Sequence, residues 1–209
     1  MKINDEILKD VAIKSLLNAK SLILDADVLR QAKGYQRAYA LYQFAMEEVG
    51  KALSSVMLLA LVDPSEEDFK DYEKGFTRHR QKIKKSQMLD MFICQVLYKG
   101  DYEKAMKFLQ SSISEDENEL DEQKNKSLYT AVVNDKVLIP SEMIDEEKMN
   151  YIWHRVLTRY RIAEPFVDMI LKHSDELRDH QKRNGSIKNM TLDAEKAAKE
   201  FWDEILAKE

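Results

Sequence analysis

The sequence predicts an all-α protein, a helical bundle with one short irregular or β-like insertion near residues 126–140. Three observations lead to this fold class. Helix breakers are scarce, with 5 Gly and 3 Pro among 209 residues. Residues that favour helices, such as Leu, Lys, Glu, Ala and Met, are abundant. Apolar residues recur at helical spacing in several segments. Because a chain of this length can bury a sizeable core without metals or disulfides, we expect a single domain over residues 1–209.

The first half of the chain is predicted to form three long helices and two short ones. The second helix is apolar around most of its circumference, which favours a central position in the bundle. Asp63 and Pro64 end it, and Ser65 with Asp68 three residues on resembles a capping box that starts the next helix. The predicted helices of this half span residues 5–32, 35–62, 65–74, 76–99 and 101–113, with glycines 34, 75 and 100 as breaks.

A charged stretch interrupts the helical pattern. Residues 114–127, SEDENELDEQKNKS, carry six acidic residues and little to bury, so we expect a solvated loop. The next stretch, up to Pro140, is rich in Val and contains the turn signal Asn134-Asp135. This pattern predicts an extended segment or a small hairpin over residues 128–140.

The C-terminal part, residues 144–207, is predicted to be helical again. A helix from about Ile144 contains Pro165, which either kinks it or starts a new helix. That helix should fade near residues 183–186, and a last amphipathic helix is predicted over 192–206.

Composition and motifs exclude several classes of protein. The net charge of −5 gives no overall attraction to nucleic acid, although a local basic patch stays compatible with it. The single Cys94 excludes a disulfide framework and a Cys-based zinc site. The N-terminus lacks the apolar region of a signal peptide, and no apolar run reaches about 18 residues. We therefore expect a cytoplasmic protein without a membrane segment.

Motifs for common cofactors are missing from the sequence as well. There is no GxxxxGK[ST], GxGxxG, HExxH or GxSxG segment. None of the four histidines follows a Glu at the three-residue spacing of di-iron bundles. We expect neither a metal nor another cofactor.

The segment FAMEEVGKAL, residues 44–53, places charged residues within an apolar helix. When the helix is projected at about 100° per residue, Glu48 shares a direction with Leu41, Ala45 and Ala52, while Glu47 points further round, toward water. Lys51 lies at the edge of the apolar face. A carboxylate on an apolar face is costly unless it is paired, so Glu48 should have a partner.

The segment RHRQKIKK, residues 78–85, offers such a partner. There His79 falls in line with Ile83 on the apolar face, with Lys82 at its edge. If the two helices pack antiparallel, Glu48 and His79 can meet, flanked by Lys51 and Lys82. An acid, an imidazole and two ammonium groups could perform general acid–base chemistry on a phosphodiester.

A structural interpretation of the same residues stays open. A Glu–His or Glu–Lys pair inside a bundle is often only a satisfied contact that determines helix register. The basic run 78–85 could be a solvated face. In that case the segments 114–127 and 128–140 would bind a protein partner, and the molecule would be a non-enzymatic interaction module. The remaining histidines, His154, His173 and His180, fit core or edge positions.

Four segments in this order carry a family resemblance: NAKSLILDADVL, GYQRAYALYQFAMEEVGKAL, RHRQKIKK and KNKSLYTAVVNDKVLIP. Together, over residues 8–141, they resemble AbiV-type abortive infection proteins of the HEPN superfamily. The resemblance implies a HEPN-like helical bundle that acts in bacterial defence against phage by shutting down translation. It also implies a homodimer, a phage-encoded activator protein and RNA as the target, since many HEPN proteins are metal-independent ribonucleases.

The resemblance also transfers residues by position. The EExGK-like segment falls on Glu47, Glu48, Gly50 and Lys51, and the HxxK-like segment falls on His79 and Lys82. We therefore expect His79, Glu48, Lys51 and Lys82 to be catalytic. Three residues are added as candidates for substrate binding: Arg37, Arg78 and Glu47. The Arg-x(4–6)-His pair of HEPN ribonucleases is missing here, so the site would be a variant, or the protein would act by binding alone.

Overall fold

The computed structural model describes residues 3–87 and 117–184. Its helices are α1 (Asp5–Gln31), α2 (Tyr35–Leu59), α3 (Glu66–Thr77), α4 (helical over residues 79–87), α5 (Glu117–Leu128), α6 (Pro140–Met143) and α7 (Glu146–Asn184), and its strands are β1 (Ala131–Val133) and β2 (Lys136–Leu138). The prediction of an all-α bundle with one small β-like insertion is confirmed.

Helix α2 is the centre of the described bundle, as its apolar circumference predicts. Of its 25 residues, 17 are buried, and it packs against α1, α3, α5 and α7. Alanines recur every seventh residue on both α1 and α2, and such spacing keeps them on one face. These fully buried alanines are Ala12, Ala19 and Ala26 on α1 and Ala38, Ala45 and Ala52 on α2. Small side chains at these positions allow the two helices to approach closely.

Local signals determine where several helices begin. The Asn4 side chain accepts a hydrogen bond from the backbone N–H of Ile7 (2.9 Å), which caps α1. The predicted capping box is present: the Ser65 hydroxyl accepts from the Asp68 backbone, and the Asp68 carboxylate accepts from the Ser65 backbone. Helix α2 ends at Leu59, three residues before its predicted end at Val62.

The predicted end of α3 at Lys74 was wrong. The helix continues through Gly75 to Thr77, because a helical glycine costs only about 1 kcal/mol relative to Ala and packing against α2 outweighs this. The break comes at Arg78, whose backbone is extended (φ −98°, ψ 120°). The helix predicted from residue 76 therefore begins at 79, and the predicted helical residues 88–113 lie outside the described part of the chain.

The loop predicted over residues 114–127 was also wrong, because Glu117–Leu128 form helix α5. Its buried side chains are Leu120, Lys124 and Ser127, which are spaced four and three residues apart and so share one helical face. The charged composition concealed this face, since only one of the three residues is apolar.

The predicted hairpin is confirmed. β1 and β2 pair antiparallel, with Val132 opposite Val137. Asn134 (φ 50°) and Asp135 (φ 61°) connect the strands, and positive φ at both central residues is typical of a tight hairpin turn.

Helix α7 continues through Pro165, so the proline does not start a new helix; the residue with non-helical angles is His173 (φ −117°, ψ 22°). The helix predicted over 192–206 lies outside the described residues. Within 3–87 and 117–184, no helix combines the length and apolar character needed to cross a membrane.

Candidate functional site

The rotational position of α2 differs from the predicted one. Arg37 is exposed and Leu41, Phe44, Glu48 and Lys51 are half-buried, so this line of residues is the least covered stripe of the helix. The prediction that Glu48 points inward and Glu47 toward water was therefore wrong. Glu47 is the buried residue, with 3% exposure. Because α2 is apolar nearly all round, periodicity alone could not determine which side faces its neighbours.

Among the described residues, the Glu47 carboxylate contacts three cationic or titratable side chains. Its Oε2 lies 2.6 Å from His79 Nδ1 and 3.6 Å from Lys82 Nζ. Its Oε1 accepts a hydrogen bond from Lys124 Nζ at 3.0 Å. We call Glu47, His79, Lys82 and Lys124 the Glu47 cluster. It contains the predicted His79 and Lys82, but the acid is Glu47, not Glu48.

A glycine allows α4 to reach the cluster. A Cβ atom at Gly50 would lie only 2.0 Å from the carbonyl oxygen of Lys82, so any larger residue would push the α4 backbone away. This explains the glycine of the EExGK-like segment. At this contact Glu47 meets the His79 side chain, and Gly50 meets the Lys82 backbone.

The imidazole of His79 links the buried carboxylate to the surface. The His79 side chain is 53% exposed, whereas that of Glu47 is 4% exposed. An ionised carboxylate only accepts hydrogen bonds, so in the tautomer of the neutral ring that fits this contact Nδ1 carries the proton and donates to it. Nε2 is then left with a lone pair, and no residue in the described ranges bonds to it. The pair therefore places the Nε2 lone pair at the surface, on a ring that the buried Glu47 carboxylate holds in position.

A second carboxylate extends the network along α5. Asp121 Oδ1 lies 2.8 Å from Lys124 Nζ, and Asp121 Oδ2 lies 4.0 Å from Arg80 Nε. Lys124 thus bridges Glu47 and Asp121. Both α5 residues lie in the segment that was expected to be a loop, so neither was among the predicted site residues. The spacing of Leu120, Lys124 and Ser127 is the signal that could have revealed them.

The other predicted residues lie apart from the Glu47 carboxylate. The Lys51 ammonium pairs with the Glu48 carboxylate, and both side chains are less than one-fifth exposed. Lys51 Nζ also lies 5.4 Å from the centre of the Phe76 ring. Arg37 and Arg78 are exposed, and no contact to the Glu47 cluster is found for either among the described residues. Arg78 directly precedes His79 in the chain, whereas Arg37 lies more than two helical turns from Glu47 along α2.

A second polar group lies on α2, near its N-terminal end. The Tyr42 hydroxyl donates to Asp27 Oδ1 at 2.6 Å, and Arg30 Nε lies 3.4 Å from the same oxygen. The Arg30 guanidinium lies 4.2 Å from the centre of the Trp153 ring. Burial raises the pKa of the Tyr42 hydroxyl above its usual value of 10.0, and the hydrogen bond to Asp27 is the second cause of this rise. These four residues, Asp27, Arg30, Tyr42 and Trp153, form what we call the Tyr42 cluster, which joins α1, α2 and α7.

Comparison with protein families shows which family the chain resembles over most of its length. The family model HEPN_AbiV, described as AbiV, matches residues 7–161. The matched span contains most of α1, all of α2 to α6, the hairpin, the first part of α7 and every member of both clusters. No curated protein and no solved structure gives a significant match. Within the described ranges, no group of three or more His, Cys, Asp or Glu side chains could hold a metal ion.

Proposed function

We propose that this protein, which belongs to the AbiV family of HEPN proteins, shuts down translation during phage infection by cleaving RNA at the Glu47 cluster. The family is one of abortive infection, that is, anti-phage defence. A single observation carries the chemical part: an exposed imidazole whose Nδ1 lies 2.6 Å from a buried carboxylate. We place this activity in the cytoplasm.

His79 acts as the general base. Its Nε2 takes the proton of a ribose 2′-hydroxyl, and the 2′-oxygen then bonds to the adjacent phosphorus. The bond from phosphorus to the 5′-oxygen breaks, that oxygen takes a proton from water, and the resulting hydroxide takes the proton back from the His79 imidazolium. Glu47 holds the ring in the required tautomer and stabilises the imidazolium that forms, as a carboxylate does behind a catalytic histidine. Nothing in this step requires a metal.

Arg78 and Arg80 hold the substrate phosphates. Both are exposed and lie on either side of His79 in the chain, and guanidinium groups bind phosphate oxygens with two hydrogen bonds. Lys82 is buried against Glu47, so we assign it to the carboxylate and not to the phosphate. Lys51 is engaged with Glu48.

The test is an RNA cleavage assay with total RNA, with and without phage lysate as a source of activator. His79→Gln removes the base at an exposed position, so the protein stays folded, and we expect cleavage to fall at least about 100-fold. Glu48→Gln, on the neighbouring stripe of the same helix, is the matched control and should cleave normally. Full cleavage by folded His79→Gln would exclude this mechanism.

The proposal includes two partners. The protein forms a homodimer and is triggered by a phage-encoded protein, as the family resemblance implies. Light scattering of the purified protein measures the first. Co-purification from infected cells that carry a tagged copy tests the second, with an uninfected culture as the control.

A second candidate function, a non-enzymatic interaction module, has its own support. Large apolar side chains around the hairpin are unusually exposed: Tyr129 (64%), Val132 (72%), Val137 (70%) and Ile139 (51%). Exposed apolar residues grouped in this way favour protein contacts. If the double variant Val132→Ser, Val137→Ser abolishes phage protection while His79→Gln keeps it, the protein acts as an interaction module and not as a ribonuclease.

A further inference from the structure

We propose that Lys124 is a positioning residue for the Glu47–His79 pair, and that the docking of α5 thereby controls the site. The effect of Lys124 on RNA cleavage rests on the proposed function, whereas its effect on the His79 imidazole does not. The family resemblance assigned no role to this residue.

Helix α5 is docked on α2 mainly by polar contacts. Among the residues of α5 whose burial the structure describes, the buried ones are Leu120, Lys124 and Ser127, so only one of the three is apolar. Most helices in proteins are held by a broad apolar face. The attachment of α5 therefore depends strongly on what Lys124 contacts.

Two hydrogen bonds connect α5 to α2 in matching register. Gln43 Nε2 donates to the backbone carbonyl of Leu120 at 2.8 Å, and Lys124 Nζ donates to Glu47 Oε1 at 3.0 Å. The partners are four residues apart on both helices, so each pair lies one turn along from the other. The register of α5 thus places the ammonium at the carboxylate.

The two carboxylate oxygens of Glu47 have different hydrogen-bond partners. Oε1 faces Lys124, and Oε2 faces His79 Nδ1. Asp121, at 2.8 Å, holds the ammonium of Lys124 from the other side. With Lys124 in place the carboxylate has one defined orientation, with Oε2 toward the imidazole. Without it, the buried Oε1 loses its donor, and the carboxylate can turn both oxygens toward Lys82.

The consequence reaches His79 through Glu47. The hydrogen bond made by one ring nitrogen determines which nitrogen carries the proton. While Glu47 accepts from Nδ1, the exposed Nε2 keeps its lone pair. If the carboxylate turns away, the ring returns toward the Nε2–H form that free imidazole side chains prefer. That form offers no base at the surface, so release of α5 switches the site off.

The experiment measures the imidazole directly. Protein labelled with ¹⁵N-histidine reports the tautomer of each ring by NMR, and the His79 signals are assigned by their loss in His79→Gln. Lys124→Met is the main variant and Lys124→Arg should rescue it. Lys126→Met is the matched control, because Lys126 pairs with Glu122 on the same helix and has no contact with Glu47 among the described residues.

We expect the Nδ1–H form for His79 in the unmodified protein, in Lys124→Arg and in Lys126→Met. Lys124→Met should show a majority Nε2–H form. Hydrogen exchange of residues 119–128 should be at least about tenfold faster in that variant alone. If Lys124→Met does not fold, Asp121→Asn removes the second partner of the ammonium and should give a smaller change in the same direction.

An unchanged tautomer and unchanged exchange in Lys124→Met and Asp121→Asn would overturn the proposal. The proposed function fails in a different way. If the unmodified protein cleaves no RNA under any activation while the tautomer still depends on Lys124, the positioning role stands and the ribonuclease does not.

Discussion

Two polar clusters lie on the same helix, and they differ in their access to solvent. In the Tyr42 cluster the hydroxyl is fully buried, and its carboxylate partner is also held by Arg30. In the Glu47 cluster the carboxylate is only 4% exposed, but its partner His79 is 53% exposed. The first cluster joins three helices. The second ends in a titratable ring with one nitrogen free of protein contacts in the described ranges.

The comparison shows that burial of a charged or polar group does not by itself indicate a site. The Tyr42 hydroxyl and the Glu47 carboxylate are both paired, as the rule for buried polar groups requires. Only the Glu47 cluster connects a buried charge to a group that a ligand can reach. This connection, and not the number of charges, supports placing chemistry at His79.

The largest effect is expected from breaking the Glu47 cluster itself. Glu47→Gln leaves two buried ammonium groups, those of Lys82 and Lys124, without their carboxylate. We expect the free energy of unfolding to fall by about 3–5 kcal/mol, measured by denaturant titration. Glu48→Gln, whose pair with Lys51 lies on the least covered stripe, should change it by less than about 1 kcal/mol. Equal effects would contradict the assignment of Glu47 as the buried acid.

Displacing α4 should disturb the Glu47 cluster and spare the Tyr42 cluster. Gly50→Ala places a Cβ 2.0 Å from a backbone oxygen, which no side-chain rotation can relieve, so we expect a loss of about 3 kcal/mol. The control Gly75→Ala meets only the Ser54 hydroxyl at 3.5 Å and should stabilise α3 by up to about 1 kcal/mol. Thermal unfolding measures both. A stable Gly50→Ala would show that α4 does not approach α2 this closely.

Breaking the Tyr42 cluster should cost less. Tyr42→Phe removes a hydrogen bond to a carboxylate, and we expect a loss of about 1.5–3 kcal/mol near neutral pH with RNA cleavage unchanged. A loss of cleavage equal to that of His79→Gln would remove the distinction between the two clusters.

The pH dependence of stability provides a separate check on Tyr42. Its pKa is raised in the folded state above the ordinary 10.0, so the unfolded state loses its proton first. The contribution is therefore complete below pH 10 and declines as the pH rises above that value. In Tyr42→Phe this share of the alkaline decline should vanish. Urea titrations between pH 8 and 11 measure the free energy of unfolding at each pH. If Tyr42 is not responsible, this free energy will fall with pH as steeply in Tyr42→Phe as in the unmodified protein.

The smallest effect is expected at the rim of the Tyr42 cluster. Arg30→Gln removes the guanidinium that lies over Trp153. Both the aromatic contact and the ion pair with Asp27 are half-exposed, so we expect about 0.5–1 kcal/mol. Tryptophan fluorescence of the folded state should change at the same time. A loss above about 3 kcal/mol would mean that this cluster is as essential as the Glu47 cluster.

The sequence by itself determined those features that depend on neighbours along the chain. The capping box at Ser65, the hairpin turn at Asn134-Asp135 and the central position of α2 follow from local hydrogen bonding, backbone preference and composition. The four-segment pattern identified the family, and the family model confirms it. His79 and Lys82 were expected to meet Glu48, and in the structure they meet its neighbour Glu47. Their catalytic role stays a prediction.

Only the tertiary structure decided which acid they meet. Glu47 and Glu48 differ by about 100° around an axis that is apolar on nearly every side, so the pattern could not choose between them. The partners of Glu47 lie 32 and 77 residues away in the chain, and one of them comes from a helix with a single buried apolar residue. Burial and pairing of a charge depend on what packs against it, and this is determined by distant parts of the chain that no local pattern contains.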